Sequence, residues 1–163
     1  MARPQAKAKG DAARLATHED IEAIVRLVSH YWAFEGLDGF DEDEVAEQLD
    51  YLLSDRRLGE VWICGPAAEL AGYLIAVYVF SLEHKGLTAE IDEFFVLPAL
   101  RGKGLGQSLL GAAEARFRAL RCTNVSLQLA RENDAARLFY RDRGYADRAG
   151  FELLDKNLGK PPE

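Results

Sequence analysis

The stretch Val96–Gly106 constrains the fold of this chain more than any other part of its sequence. An apolar strand ends at Pro98, a glycine-rich turn follows, and an apolar-periodic helix begins at Gly104. Such a turn directs several backbone N–H groups to one point, where the positive end of the helix dipole adds to them. Glycine is needed there because a Cβ atom would keep a phosphate away from the backbone. The turn therefore predicts a diphosphate site, to which Arg101 and Lys103 add charge.

The glycine spacing separates this turn from two other phosphate-binding loops. A P-loop needs G-x-x-x-x-G-K-S/T, a pattern that does not start at Gly102. The dinucleotide fingerprint G-x-G-x-x-G fails as well, because counting on from Gly102 and Gly104 reaches Gln107. The spacing found here is R-x-x-G-x-G. Taken alone, the turn has an alternative interpretation as a tight connection that binds no ligand.

A second motif, Asn133–Tyr145, opens a predicted helix. Asn133, Ala136 and Tyr140 stand at positions i, i+3 and i+7, so they share one helix face. The small side chain of Ala136 leaves room for a ligand, and Tyr140 can carry its hydroxyl to the end of that face. The structural alternative is that Asn133 only caps the helix and Tyr140 only fills the core.

Together the two motifs resemble those of the GNAT superfamily of N-acetyltransferases. Arg101–Gly106 matches the family signature (Q/R)-x-x-G-x-(G/A), and Asn133–Tyr145 matches N-x-x-A-x-x-(F/L)-Y-x-x-x-G-(F/Y). The resemblance implies acetyl-CoA as the co-substrate, with its diphosphate on the turn and its pantetheine arm beside the preceding strand. The residues implied for this binding are Phe95, Val96, Arg101, Gly102, Lys103, Gly104, Leu105, Gly106, Asn133 and Tyr140.

The resemblance also implies how the acyl transfer would be catalysed. Tyr140 would protonate the departing thiolate, and a backbone N–H near Val96 would stabilise the oxyanion. A lysine-like amine has a pKa of about 10.4 and must lose a proton before it attacks. Glu90 and Asp92 are the two candidate bases, although either one could instead be an ion-paired or solvated carboxylate. Strict alternation puts Glu93 on the opposite strand face from both, which makes it the weaker candidate, although strand pairing could orient it differently.

Acidic side chains crowd the stretch that would form the acceptor side in this family. Residues 35–60 contain ten of them, opposed only by Arg56 and Arg57. They are Glu35, Asp38, Asp41, Glu42, Asp43, Glu44, Glu47, Asp50, Asp55 and Glu60. We expect a cationic small-molecule amine as the acceptor, such as a polyamine, an amino sugar or a lysine-like amine. The alternative is a solvated helix face with cap charges.

Other functions of the same family stay open at this stage. A protein N-terminal or lysine acetyltransferase would need a peptide groove, and a non-catalytic CoA-binding module would bind CoA without turnover. A third alternative is a transferase that uses a longer acyl-CoA. The resemblance also allows a homodimer, since many members of the family dimerise.

Composition argues against several other classes of function. The net charge of −7 disfavours nucleic acid as a partner, because phosphate binding needs a basic face. The longest apolar stretch, 70–80, is far shorter than the roughly 20 residues of a membrane helix, so no membrane partner is expected. No secretory signal is visible, which predicts a cytoplasmic protein. The two cysteines and three histidines lack metal-ligand spacing, so no metal is expected.

The predicted order of elements is β α α β β β α β α β β. Residues 1–13 are predicted to be a disordered tail, 14–157 a single N-acetyltransferase domain, and 158–163 a C-terminal tail. The last two strands are expected as a closing pair within Tyr145–Lys156. The resemblance implies an α/β (α+β) fold: a mixed, mostly antiparallel sheet of six or seven strands, flanked by about four helices and split beside the cofactor.

Overall fold

A computed structural model describes residues 12–159 of the chain. Its helices are α1 (Ile21–Glu35), α2 (Glu42–Ser54), α3 (Leu105–Ala119) and α4 (Asp134–Arg141). Its strands are β1 (Arg14–Leu15), β2 (Gly59–Cys64), β3 (Gly72–Ser81), β4 (Gly86–Val96) and β5 (Asn124–Leu127). Short 3₁₀ turns lie at His18–Asp20 and Pro98–Leu100. The chain divides into two compact units: the first runs to Gln128 and holds all five strands, and the second begins at Leu129 and holds α4.

The five strands form one sheet in the order β1-β2-β3-β4-β5. Neighbouring strands are antiparallel except β4 and β5, which run parallel. The parallel pair requires a long crossover, and α3 supplies it by returning the chain to the start of β5. The mixed, mostly antiparallel sheet and the flanking helices agree with the fold that the sequence predicted.

Different helices cover the two faces of the sheet. On one face, which we call the α1 face, Ile24 of α1 belongs to the same buried cluster as Tyr73 and Phe95. On the other, the α3 face, the ring of Phe117 lies 5.5 Å from the ring of Trp62. Because side chains alternate along a strand, a sheet covered on both faces has strands that are buried throughout, as β2 is.

Local sequence signals set the ends of the first two helices. Thr17 and Asp20 form a capping box before α1, with the Thr17 N–H donating to the Asp20 carboxylate at 2.8 Å. Asp41 caps α2 by accepting from the N–H of Glu44 at 2.9 Å. Gly36 ends α1 in the left-handed region, with φ of 68°. Each of these helix ends is therefore set by a few neighbouring residues.

The closing pair of strands predicted within Tyr145–Lys156 is not formed, so the described sheet has five strands rather than six or seven. Asp147 accepts a hydrogen bond from Arg137 at 3.0 Å and another from Arg141. These bonds tie the start of the segment to α4 instead of to a strand ladder, and residues 151–159 are exposed. A strand is stabilised by the packing of its side chains, and this exposed segment has no such packing, so its strand propensity is not realised.

The predicted termini fall mostly outside the described residues. The predicted tail 1–13 overlaps the described chain only at residues 12 and 13, and the predicted tail 158–163 only at 158 and 159. The prediction of a single domain over 14–157 extends across both units and stays a prediction.

Candidate active site

The sheet opens along one side of β4. The pairing of β4 with β5 runs from Thr88 to Ile91 and stops opposite Leu127. β4 itself continues to Val96, and over residues 93–96 it pairs with β3 but has no partner in β5. The backbone of this segment borders a gap in the sheet, where main-chain groups are available to a ligand.

Three of the predicted binding residues can offer a ligand only their backbone. Phe95, Val96 and Leu105 are buried, with 3%, 8% and 7% of their surface exposed. A ligand at these positions would be recognised by main-chain hydrogen bonds. The identity of these side chains therefore reflects packing rather than ligand chemistry.

The glycine turn between β4 and α3 has the conformation that its sequence predicts. Gly102 and Gly104 have φ values of 75° and 85°, in the left-handed region that favours glycine. A Cβ atom on either residue would meet no heavy atom within 4 Å, so the space on that side of the turn is open. Gly104 is the N-cap of α3, and the N–H groups of the first helical turn, from Leu105 and Gly106 onward, have no partner within the helix. This arrangement suits an anion.

The two cations of the turn, Arg101 and Lys103, are both exposed. The Arg101 side chain is folded back toward β4, where its Nε donates to the Val96 carbonyl at 2.9 Å. Its Cζ atom lies 4.7 Å from the centre of the Phe34 ring, at the end of α1. Arg101 is thus engaged with the protein rather than extended over the glycines.

A β-bulge in β4 decides which carboxylates share a face. Two neighbouring residues of β3 pair with Glu93 and Ile91, which leaves Asp92 as the extra residue. The β3 partners of Glu90 and Glu93 are two residues apart, so both glutamates lie on the α1 face. The prediction that strict alternation separates Glu93 from Glu90 is wrong, because the bulge shifts the alternation by one residue.

The two predicted base candidates have different surroundings. Glu90 accepts a hydrogen bond from the amide of Gln128 at 3.3 Å. Asp92 is exposed to solvent, yet the protein packed beside its carboxyl raises its pKa, and the charge of Glu90 adds to this rise. Their roles as bases stay predictions.

Glu93 has the most developed surroundings of the three carboxylates. Its Oε2 accepts from the Tyr73 hydroxyl at 2.8 Å. Burial raises the pKa of Glu93, the Tyr73 hydrogen bond opposes that rise, and the charge of Asp92 adds to it. The indole N–H of Trp32 makes no hydrogen bond of good geometry within residues 12–159, yet it lies close enough to Glu93 to oppose the rise in its pKa as well. A carboxylate with a raised pKa is better suited to accept a proton near neutral pH.

Four rings form an aromatic wall on the α1 face beside Glu93: Tyr31, Phe34, Tyr73 and Phe95. The ring centre of Tyr31 is 5.7 Å from that of Phe95 and 6.4 Å from that of Tyr73. The Phe34 ring lies 5.9 Å from the Phe95 ring. No sequence signal pointed to Tyr73, whose place depends on the strand register.

The electrostatic field at the Tyr31 hydroxyl of this wall is negative. Burial, helped by the charges of Glu93, Glu35 and Asp92, raises the pKa of Tyr31 to about 12. Three carboxylates from two elements thus act on one hydroxyl group. Such a field favours a cation over a neutral or anionic group.

The second motif forms α4 in the second unit. Asn133 is the N-cap of this helix, and its Oδ1 accepts from the N–H of Ala136 at 3.1 Å. Tyr140 is buried, with 8% of its surface exposed, and its ring lies 5.3 Å from the rings of both Phe139 and Tyr145. Both residues therefore have the structural roles that the sequence allowed, and their roles toward acetyl-CoA stay predictions.

The sequence profile of the Acetyltransferase (GNAT) family matches residues 21–145, which include both motifs. The chain belongs to the GNAT family. The match confirms the family and the enzyme class predicted from the sequence, which is that of an acyltransferase.

Curated relatives of this GNAT chain are acetyltransferases as well. The aminoalkylphosphonate N-acetyltransferase of Salmonella typhimurium is 30% identical over 141 residues, which cover 81% of this chain and 82% of the relative. The IAA acetyltransferase of Azospirillum brasilense is 26% identical over 130 residues, covering 80% of this chain and 81% of the relative. The names of their substrates belong to those proteins.

A solved structure supports the GNAT fold independently. An integron cassette protein from the mobile metagenome of Cole Harbour salt marsh superposes with a TM-score of 0.81. It is 27% identical, and the match covers 95% of each chain. The fold class predicted from the sequence is confirmed, apart from the number of strands.

Two further findings concern the described part of this GNAT chain. Within residues 12–159, no group of three or more His, Cys, Asp or Glu side chains is arranged to hold a metal ion. No helix of that range is both long enough and apolar enough to cross a membrane.

Proposed function

We propose that this GNAT enzyme transfers the acetyl group of acetyl-CoA to the primary amine of a small cationic acceptor. The observation that carries the proposal is the open backbone of residues 93–96, which leads directly into the glycine turn. In the proposal the diphosphate binds at Arg101–Gly106, chiefly through backbone N–H groups. The pantetheine arm lies along Phe95 and Val96 and bonds to Asn133.

The reaction is a direct attack within a ternary complex. The amine nitrogen attacks the thioester carbonyl, the C–N bond forms, the C–S bond breaks, and the amine proton leaves to a base. We favour Glu93 as that base, because its pKa is raised and it faces the aromatic wall. Glu90 and Asp92 stay as the alternatives. A backbone N–H near Val96 stabilises the oxyanion, and Tyr140 protonates the thiolate.

The acceptor is proposed to be a cationic amine such as a polyamine, an amino sugar or a lysine-like amine. The negative field on Tyr31 from Glu93, Glu35 and Asp92 supports this class, and aromatic rings next to carboxylates suit an ammonium group. A second candidate is an aminoalkylphosphonate, which is favoured by the name of the relative with 30% identity. The two acceptor classes differ in the sign of the charge on the part of the molecule that does not react: positive in a polyamine and negative in an aminoalkylphosphonate.

The donor site is tested first, by following the melting temperature while acetyl-CoA is added. A saturable rise is expected, of the size that mass action allows. Lys103→Glu places a carboxylate on the turn and should weaken the rise. Lys85→Glu makes the same charge reversal at the other end of β4, about 30 Å away, and should leave the rise unchanged. No rise with folded wild-type protein at millimolar acetyl-CoA would sink the proposal.

The acceptor is tested by measuring the release of free CoA from acetyl-CoA in the presence of a panel of amines. Turnover with diamines, polyamines or amino sugars, at least tenfold above neutral amines, is the expected result. Preference for aminoalkylphosphonates would transfer the proposal to the second candidate class. Labelling of proteins alone would favour a protein acetyltransferase. Tight CoA binding without any turnover would favour a non-catalytic module. Faster release of CoA from a longer acyl-CoA would favour a different donor.

A further inference from the structure

Arg101 makes three contacts that lead away from the glycine turn. Its Nε bonds the Val96 carbonyl at 2.9 Å. Its Cζ lies 4.7 Å from the centre of the Phe34 ring and 5.6 Å from that of the Phe95 ring. A planar guanidinium can stack on rings and donate in its own plane at the same time, whereas an ammonium group cannot. The side chain is therefore held on the aromatic wall by contacts that depend on its shape.

Phe34 is the ring that this arrangement holds in place. It lies in the last turn of α1, and 52% of its surface is exposed although its inner side rests on the buried Phe95. Arg101 packs against the same ring. The end of α1 is also where the N–H groups of Gly36 and Leu37 both donate to the Trp32 carbonyl, which makes exchange of these two amides a direct probe of helix fraying.

We propose that Arg101 is a positioning residue that fixes the last turn of α1 against the end of β4. The glycine turn is thereby linked to the aromatic wall, and Phe34 is kept in the place where it borders the acceptor. The effect on the acceptor rests on the proposed function, but the effect on α1 does not. Recognition of the diphosphate is then left to the backbone N–H groups and to Lys103.

The first arm measures amide exchange of Gly36 and Leu37 in the free protein. Arg101→Lys keeps the charge and loses the planar stack, so exchange should quicken about two- to fivefold, the range expected for one exposed cation–π contact. Phe34→Leu should have a similar effect, and the double variant should add little to either single change. Lys103→Met removes the other cation of the turn and should leave these two amides unchanged.

The second arm separates positioning from ligand binding by steady-state kinetics. Arg101→Lys should raise the KM for the amine about two- to fivefold and leave the KM for acetyl-CoA near the wild-type value. Unchanged exchange at Gly36 and Leu37, together with weaker acetyl-CoA binding in Arg101→Lys, would make Arg101 a diphosphate ligand and overturn the inference. If the wild-type protein binds no acetyl-CoA, the proposed function fails, while the exchange arm still decides whether Arg101 fixes α1.

Discussion

Two carboxylates of the sheet are bonded by tyrosines of the same strand, β3, on opposite faces. On the α3 face Glu60 accepts from the Tyr78 hydroxyl at 2.7 Å, and on the α1 face Glu93 accepts from the Tyr73 hydroxyl at 2.8 Å. Arg116 also binds Glu60, through Nε at 2.9 Å and Nη2 at 3.0 Å. Among the described residues no Lys or Arg forms an ion pair with Glu93. The local motif is the same, and only the counter-ion differs.

This difference separates a structural carboxylate from the proposed base. Glu60 is 3% exposed, and the paired guanidinium offsets the cost of burying its charge. Glu93 has no such partner in the described chain, and the cost of its partial burial appears as a raised pKa. A buried carboxylate beside a tyrosine is therefore a catalytic candidate only where no cation neutralises it.

The largest expected effect sharpens this contrast on the α1 face. Glu93→Gln removes the proposed base without changing its shape, and kcat should fall by about 10²–10⁴. The free energy of unfolding should stay the same or rise, since a partly buried charge is removed. Steady-state kinetics and urea unfolding of the same preparation check both parts. Full activity in this variant, with loss of activity in Glu90→Gln or Asp92→Asn, would assign the base to one of those residues.

The matching change on the α3 face should affect stability and not turnover. Arg116→Met leaves Glu60 buried without its main cation, which should lower the free energy of unfolding by about 3 kcal/mol. That figure is at the lower end for buried pairs because 36% of the Arg116 side chain is exposed. Urea unfolding gives the stability, and kcat per folded molecule should match the wild type. A fall in kcat without a loss of stability would contradict the division between the faces.

A third buried carboxylate tests whether the rule extends beyond the sheet. Arg14 and the Thr17 backbone lower the pKa of Asp20 to about 2, against the cost of burial. Because the folded-state pKa is depressed, the stabilisation is present above about pH 4 and is lost as the pH falls toward 2. Asp20→Asn should cost about 1–2 kcal/mol at pH 7, a range reduced for the solvent around Arg14, whose side chain is 47% exposed.

The prediction for Asp20 is checked by measuring the free energy of unfolding of the wild type and of Asp20→Asn, by chemical denaturation at several pH values. The difference in stability between wild type and Asp20→Asn should shrink as the pH falls below about 4. A difference that stays constant down to pH 2 would mean that the carboxylate charge contributes nothing to stability.

The smallest expected effect compares the two tyrosines directly. Tyr73→Phe removes the hydrogen bond that holds down the pKa of Glu93, so that pKa should rise further. The acid limb of kcat/KM, which falls as Glu93 takes up a proton, should then move to higher pH. Tyr78→Phe should leave the limb in place, and each change should cost about 1 kcal/mol of stability. An equal shift of the limb in both variants would break the comparison.

Most of the fold was predictable because its signals are local. The capping box at Thr17, the cap at Asp41 and the positive-φ glycines of the turn each depend on a few neighbouring residues. The family signature followed from the same short stretches. The predicted strands within Tyr145–Lys156 are absent, because the segment is exposed and its own propensity does not say whether another element will pack against it.

The candidate site was less predictable because it depends on strand register. Tyr73 meets Glu93 only because β3 and β4 pair as they do, and no pattern within either strand gives that pairing. The bulge at Asp92 then moves Glu93 to the face shared with Glu90. The contacts of Arg101 are likewise tertiary, since Phe34 lies far from it in sequence. Such arrangements carry no signature in a single chain.

The bulge at Asp92 has a consequence for how this strand can change over time. With one extra residue in β4, the position of a carboxylate relative to the bulge decides which face it meets. Deleting Asp92 would restore regular pairing and keep Glu90 and Glu93 on the α1 face, whereas deleting Ile91 would put Asp92 in its place, on the α3 face. The bulge therefore lets β4 lose one residue without reversing its faces, a change of length that would turn over half of a regular strand.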